Sequence, residues 1–238
     1  MQDETRRKII SWYMRFDLFA CMMSGGQPDL DREWFTAAYD HYTRQARDRP
    51  DDVGAKFEQY FSTTRLLAMD VTLLFAAKKK QEISDEDFAA KTVELLDEGA
   101  RFGHELDNAF TDPSCFVKTF LKAPEPSADD ITDYRDPHHL LDDELFTMNF
   151  VKLDWWATEL MFKYQLSMAQ RQQPSIELTE IAMKKCKMID AIQYHVDSTG
   201  GTVLGCQASL GIATLFLPRE PKYTTWSRRK YALMEQKG

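Results

Sequence analysis

Residues 11–35 read SWYMRFDLFACMMSGGQPDLDREWF. The first half is dense in aromatics and methionines, but Arg15 and Asp17 interrupt it, and no run of 18 apolar residues occurs anywhere in the chain. A membrane-spanning helix is therefore not expected. The apolar positions recur at intervals of three and four. Ile9, Trp12, Phe16, Phe19 and Met23 share one face of a helix over residues 3–24, and Ile10, Tyr13 and Met22 widen that stripe. Asp3 and Glu4 suit the positive end of the helix dipole. Gly25-Gly26 ends the helix and Pro28 prevents its return. The second half then opens another helix, from Asp31 to about Arg47, with Trp34, Phe35, Ala38, Tyr39 and Tyr42 expected inward. The stretch thus reads as two helices joined at a glycine turn.

The same period continues outward. Phe57, Phe61, Leu66, Met69, Leu73 and Ala77 mark a long helix from about Val53 to Lys80, closed by the basic run KKK. Ser84 is the expected N-cap of a fourth helix, whose apolar positions include Phe88, Val93, Leu96, Phe102 and Leu106. Residues 111–142 break the pattern with Pro113, Pro124, Pro126, Pro137 and the acidic run SADDITDYRDP. They predict a long, partly mobile surface loop, with a short helix near 116–121. A central helix follows over 143–171, with an apolar surface broad enough to be buried on more than one side. The next runs from Pro174-Ser175 to about Asp197. The small-residue segment TVLGCQASLGIATLFL predicts one buried helix, in which Gly205 and Gly211 permit close approach. YTTWSRRKYALMEQ closes the series as an amphipathic helix. The expected fold is all-α: seven or eight helices in a layered, bundle-like single domain over 1–238, with 111–142 as its loop.

Composition narrows the function classes. The net charge is −8, which disfavours sequence-independent binding to phosphate backbone. Cys21, Cys115, Cys186 and Cys206 are scattered, so neither a zinc site nor a disulfide framework is expected. The N-terminal MQDETRRKIISWY lacks the features of a secretory signal. His138-His139 is expected to be solvated in the loop, because adjacent side chains diverge and make a poor ligand pair. His195 has no nucleophile at a defined spacing, and STGGTVLG lacks the Lys-Ser/Thr of a phosphate-binding loop. No catalytic, cofactor or metal residues are assigned, and an enzyme is not expected. The SRRKY run at 227–231 reads as a solvated face.

Read together, WYMRFDLFACMMSG and LDREWF resemble the regulatory domain of fungal binuclear zinc-cluster transcription factors, whose members carry W-Y-x-R-F-D followed by R-E-W-F. DELFTMNFVKLDWWATELMFKYQL is similar to that family's central helix, and QASLGIATLFLPREPKYTTWSRRKYALMEQKG to its closing segment. The six closely spaced cysteines of the family's DNA-binding module have no counterpart here, so no DNA-contacting residue is carried over. By the resemblance, the family's pattern is expected to continue beyond Gly238. The resemblance implies an effector-sensing regulatory region in the nucleus, lacking its own DNA-binding module, that acts as a homodimer or with a co-regulator. It also places Trp12, Phe16 and Phe19 in the core. The alternative is a helical scaffold for dimerisation or other protein–protein contact that takes no small molecule. For sensing, the expected site is an apolar effector pocket bounded by Phe16, Trp156, Leu160, Tyr164 and Leu210.

Overall fold

The computed structural model describes residues 4–121, 123–125, 127–136 and 139–237. The chain is all-α. Among the described residues there are nine α-helices, two 3-10 turns and no strand beyond one isolated bridge. It clusters into two compact units, Met1–Ala109 and Phe110–Gly238.

The first unit holds α1 (Glu4–Ser24), α2 (Arg32–Asp48), α3 (Val53–Lys79) and α4 (Asp85–Asn108). The starts of α3 and α4 follow the side chains. Asp52 accepts from the Ala55 amide to cap α3, and Ser84 from the Asp87 amide to cap α4. Helix α3 is the axis of the unit, packing against α1, α2 and α4. Its buried residues, among them Phe61, Leu67, Met69, Val71 and Leu74, lie on several sides, as a surrounded helix requires.

The polar residues of residues 11–35 hold the α1–α2 corner. Gly25 adopts φ +65°, where a β-carbon would be strained, and its amide returns to the Cys21 carbonyl at 2.8 Å. The Asp17 carboxylate accepts the Asp29 and Leu30 amides, each at 3.1 Å. Arg32 then grips Asp70 of α3 through two nitrogens, at 2.5 and 2.8 Å. Asp17 and Arg32 of this stretch are thus a turn tie and an inter-helix tie.

The buried face of α1 differs from the expected one. Met14, Leu18, Cys21 and Met22 are buried together with Phe19, whereas Ile9 (61% exposed), Trp12 (62%), Phe16 (44%) and Met23 (50%) face outward. Apolar residues surround this helix, and spacing alone supports either stripe. The inner face also serves Arg65, which donates to the Ser11 hydroxyl while its guanidinium lies 4.0 Å from the Phe61 ring centroid. Arg15 spreads over the Phe19 ring. Of the other residues expected inward, Trp34 and Val93 are also exposed.

The second unit holds α5 (Met148–Ala169), α6 (Ile176–Tyr194), α7 (Gly200–Leu204), α8 (Gln207–Thr214) and α9 (Pro221–Lys237). Helix α6 packs against α5, α7 and α8. Ser175 caps α6 and Thr199 forms a reciprocal capping box on α7. The segment expected as one small-residue helix is two, α7 and α8, parted at Gly205-Cys206. A β-carbon on Gly205 would sit 3.2 Å from the Phe150 ring, so the close approach expected there is present.

The Pro/Asp-rich segment is anchored in the core rather than confined to the surface. Val117, Tyr134, Leu140 and Leu141 are buried. Phe116 and Leu141 form the bridge, and the expected short helix near 116–121 is absent: the chain there is irregular and ends in a turn. The fully buried Asn149 closes the segment by accepting the Leu141 amide (3.1 Å) and donating to its carbonyl (2.9 Å). At its end, the His195 ring stacks on Phe146 with centroids 4.5 Å apart. His195 Nδ1 accepts the Asp197 amide, so Nε2 carries the proton donated to Asp142 at 2.8 Å.

Candidate functional site

The five residues expected to bound an effector pocket fall in both units. Phe16 is on α1 in the first, on the exposed face. In the second, Leu160 and Leu210 are fully buried and Trp156 is 5% exposed, with Lys184 Nζ 4.3 Å from its ring centroid. Tyr164 packs edge-on against Phe216 with centroids 5.1 Å apart. Beside them runs a polar connection that periodicity did not reveal. Lys185 of α6 has no exposed surface, and its ammonium donates to the Leu153 carbonyl at 2.9 Å and the Ser209 hydroxyl at 2.7 Å, tying α6 to α5 and α8.

The strongest polar cluster of the second unit lies at the inner side of α9. Lys230 and Asp190 form an ion pair whose side chains are 7% and 5% exposed. Asp190 also accepts the Thr132 hydroxyl at 2.7 Å and the Trp226 indole N–H at 3.1 Å. Lys230 donates to Gln193, and its ammonium lies 5.3 Å from the Tyr194 centroid and 5.4 Å from that of Trp226. Burial pushes the Tyr134 phenol up to about 12; burial, then Asp190, also raises Tyr194. A cavity of about 200 Å³ opens beside this cluster. Asp190 reaches all its partners at once, so the group is an internally satisfied tie, with Lys230 in the place a ligand cation would take.

This arrangement changes the reading of SRRKY. Arg228 is exposed, but Lys230 points inward and Arg229 pairs with Asp129 of the acidic run at 3.0 Å. The partner of Arg229 lies a hundred positions earlier, beyond the reach of local sequence reading. With the basic run partly neutralised, duplex DNA should give no saturable anisotropy change in the micromolar range at about 150 mM salt. Micromolar binding that Arg228→Glu and Arg229→Glu abolish would contradict this.

Among the described residues, no three His, Cys, Asp or Glu side chains gather as a metal site. Burial, then Asp17, pushes the Cys21 thiol up to about 11, and burial raises Cys186 as well. Both are thereby held as thiols. His138 lies outside the described residues. His139 departs from the solvated expectation: its Nε2 is buried without a hydrogen-bond partner, and burial, then Lys187, lowers its pKa to about 4. The unfolded chain, with histidine near 6.5, then binds the extra proton between these values. Stability should be complete above about pH 6.5 and fall by about 3 kcal/mol as the pH drops toward 4. Denaturant titrations of wild type and His139→Gln check this: the variant should lose that part of the acid sensitivity, and an unchanged slope would contradict the assignment.

In the first unit a cavity of about 230 Å³ lies between α1 and α2. Arg7, His41 and Arg44 supply its polar wall and Ile10, Met14 and Ala38 its apolar one. Arg7 Nη1 donates to His41 Nε2 at 3.2 Å, and Arg44 Nε to the Asp40 carbonyl at 3.0 Å. Burial, then Arg7 and Arg44, lowers the His41 pKa, which favours the neutral ring that this contact needs. Among the described residues, no carboxylate lines the cavity. A wider groove near α3 and α4, of about 520 Å³, carries both signs in Lys91, Glu94 and Glu98. No protein-family model, curated protein or solved structure matches the chain.

Proposed function

We propose that the chain is the effector-sensing regulatory region of a fungal-type transcription factor, acting in the nucleus on DNA that other residues or a partner contact. The observation that supports it is the W-Y-x-R-F-D and R-E-W-F pattern, whose residues Asp17 and Arg32 hold the α1–α2 corner and bind it to α3. Motif residues engaged in local ties are those a shared helical framework would require. The all-α architecture has inter-helical cavities of the kind that bind small molecules. Among the described residues, no helix is long and apolar enough to cross a membrane. Chromatin immunoprecipitation of the tagged full chain tests the reading. It should recover discrete promoters, and uniform background in nuclei that contain the protein would overturn it.

A second reading, a scaffold for a homodimer or co-regulator, rests on the outward face of α1. Ile9, Trp12, Tyr13, Phe16 and Met23 present large apolar surfaces there, and helices of this character serve as protein contacts. The two readings are compatible in a dimeric factor and differ on whether a small molecule binds.

A further inference from the structure

We infer that the cavity between α1 and α2 is a binding site for a small carboxylate with an apolar body, such as an aromatic acid. As the site of an effector, this rests on the regulatory reading; as a binding site it does not.

The charge of the wall selects the sign of the ligand. In a chain of net charge −8, this concavity carries two guanidinium groups and, among the described residues, no lining carboxylate. The acceptors of Arg7 and Arg44 among the described residues are neutral, a histidine nitrogen and a backbone carbonyl. Each uses one nitrogen in these contacts and retains further N–H donors. Guanidinium groups fit carboxylates by paired N–H donors, and a cation is excluded by the same field. The Tyr42 ring edge lies against His41 with centroids 5.1 Å apart, supporting the imidazole from the side.

The opposite wall selects the body of the ligand. Met14 and Ala38 are 2% and 8% exposed and belong to the core itself, so a bound group there is withdrawn from water. An inorganic anion would leave this surface unmatched. The volume sets the size. A cavity of about 150 Å³ accepts benzene, so the 230 Å³ here corresponds to roughly nine non-hydrogen atoms, the size of benzoate.

The expected bound state places the carboxylate between Arg7 and Arg44 and the ring against Ile10 and Met14. Ala37, exposed at the rim, offers a way to block the cavity while leaving both charges in place.

Isothermal titration calorimetry on the full chain tests the site with benzoate, benzyl alcohol and benzylamine. Benzoate should saturate below about 1 mM, benzyl alcohol should bind at least about tenfold more weakly, and benzylamine should give no saturation. Arg7→Gln and Arg44→Gln should each weaken benzoate at least about tenfold, and Ala37→Leu should abolish it, with far-ultraviolet circular dichroism unchanged in all three. Benzoate that fails to saturate by about 10 mM, equal binding of benzyl alcohol, or indifference to both arginine substitutions would overturn the site. Promoter occupancy is read separately. Saturable benzoate binding without chromatin localisation leaves the site standing and removes the regulatory reading; chromatin localisation without benzoate binding does the reverse.

Discussion

Asp190→Ala should destabilise the second unit by about 3–5 kcal/mol, the cost of leaving a buried charge without its counter-ion. The substitution strands the Lys230 side chain, only 7% exposed, and removes the acceptor of both the Thr132 hydroxyl and the Trp226 indole. Thermal unfolding should shift down by about 10 °C or more. Replacing both partners separates the pair from its surroundings. Asp190→Ala with Lys230→Met removes both charges and should recover much of the loss, because a buried ion pair replaced by apolar groups is often close to neutral. A single substitution costing under about 1 kcal/mol would mean that the pair is hydrated and contributes as a surface pair does.

Leu160→Ala carries the second large effect. Leu160 has no exposed surface on α5, a helix buried over most of its length. If its surroundings form a filled core, truncation opens a void and costs about 2–5 kcal/mol. If they form a ligand cavity, the loss is smaller, because the space exists already. The burial of Trp156 beneath Lys184 and the edge-on contact of Tyr164 with Phe216 favour the larger value. Chemical denaturation of the wild type and variant measures it; a loss under about 1 kcal/mol would point to pre-existing space beside α5.

The all-α class, the cap at Ser84, the helix start at Pro174-Ser175 and the close approach at Gly205 are legible in the sequence because each depends on near neighbours. A capping hydroxyl binds an amide two or three residues away, and an absent β-carbon is a property of one position. The buried face of α1 was not legible. Trp12 and Phe16 drew the expected core to their side by size, yet the smaller Met14, Leu18 and Cys21 are buried, since both stripes have helical period. The loop anchors were missed for a related reason. Tyr134, Leu140 and Leu141 stand among prolines and aspartates, and composition averages over single residues.

The polar sites show the same limit more sharply. Lys185 and Lys230 lie on helices whose spacing gives no sign that an ammonium is buried, and the groups that receive them come from distant segments. The α1–α2 cavity escaped notice because its charged wall is assembled from Arg7 on one helix and Arg44 on the next. The residues expected to bound a pocket share only apolar character, and four of them, Trp156, Leu160, Tyr164 and Leu210, belong to the second unit, while Phe16 belongs to the first.

Regulation itself is measured by tethering. The full chain, fused to a heterologous DNA-binding domain above a reporter in fungal cells, should change reporter output relative to that DNA-binding domain alone at equal protein level. A direction of change, up or down, would define the sign of regulation. Output indistinguishable from the DNA-binding domain alone, with the fusion folded and nuclear, would contradict the regulatory reading.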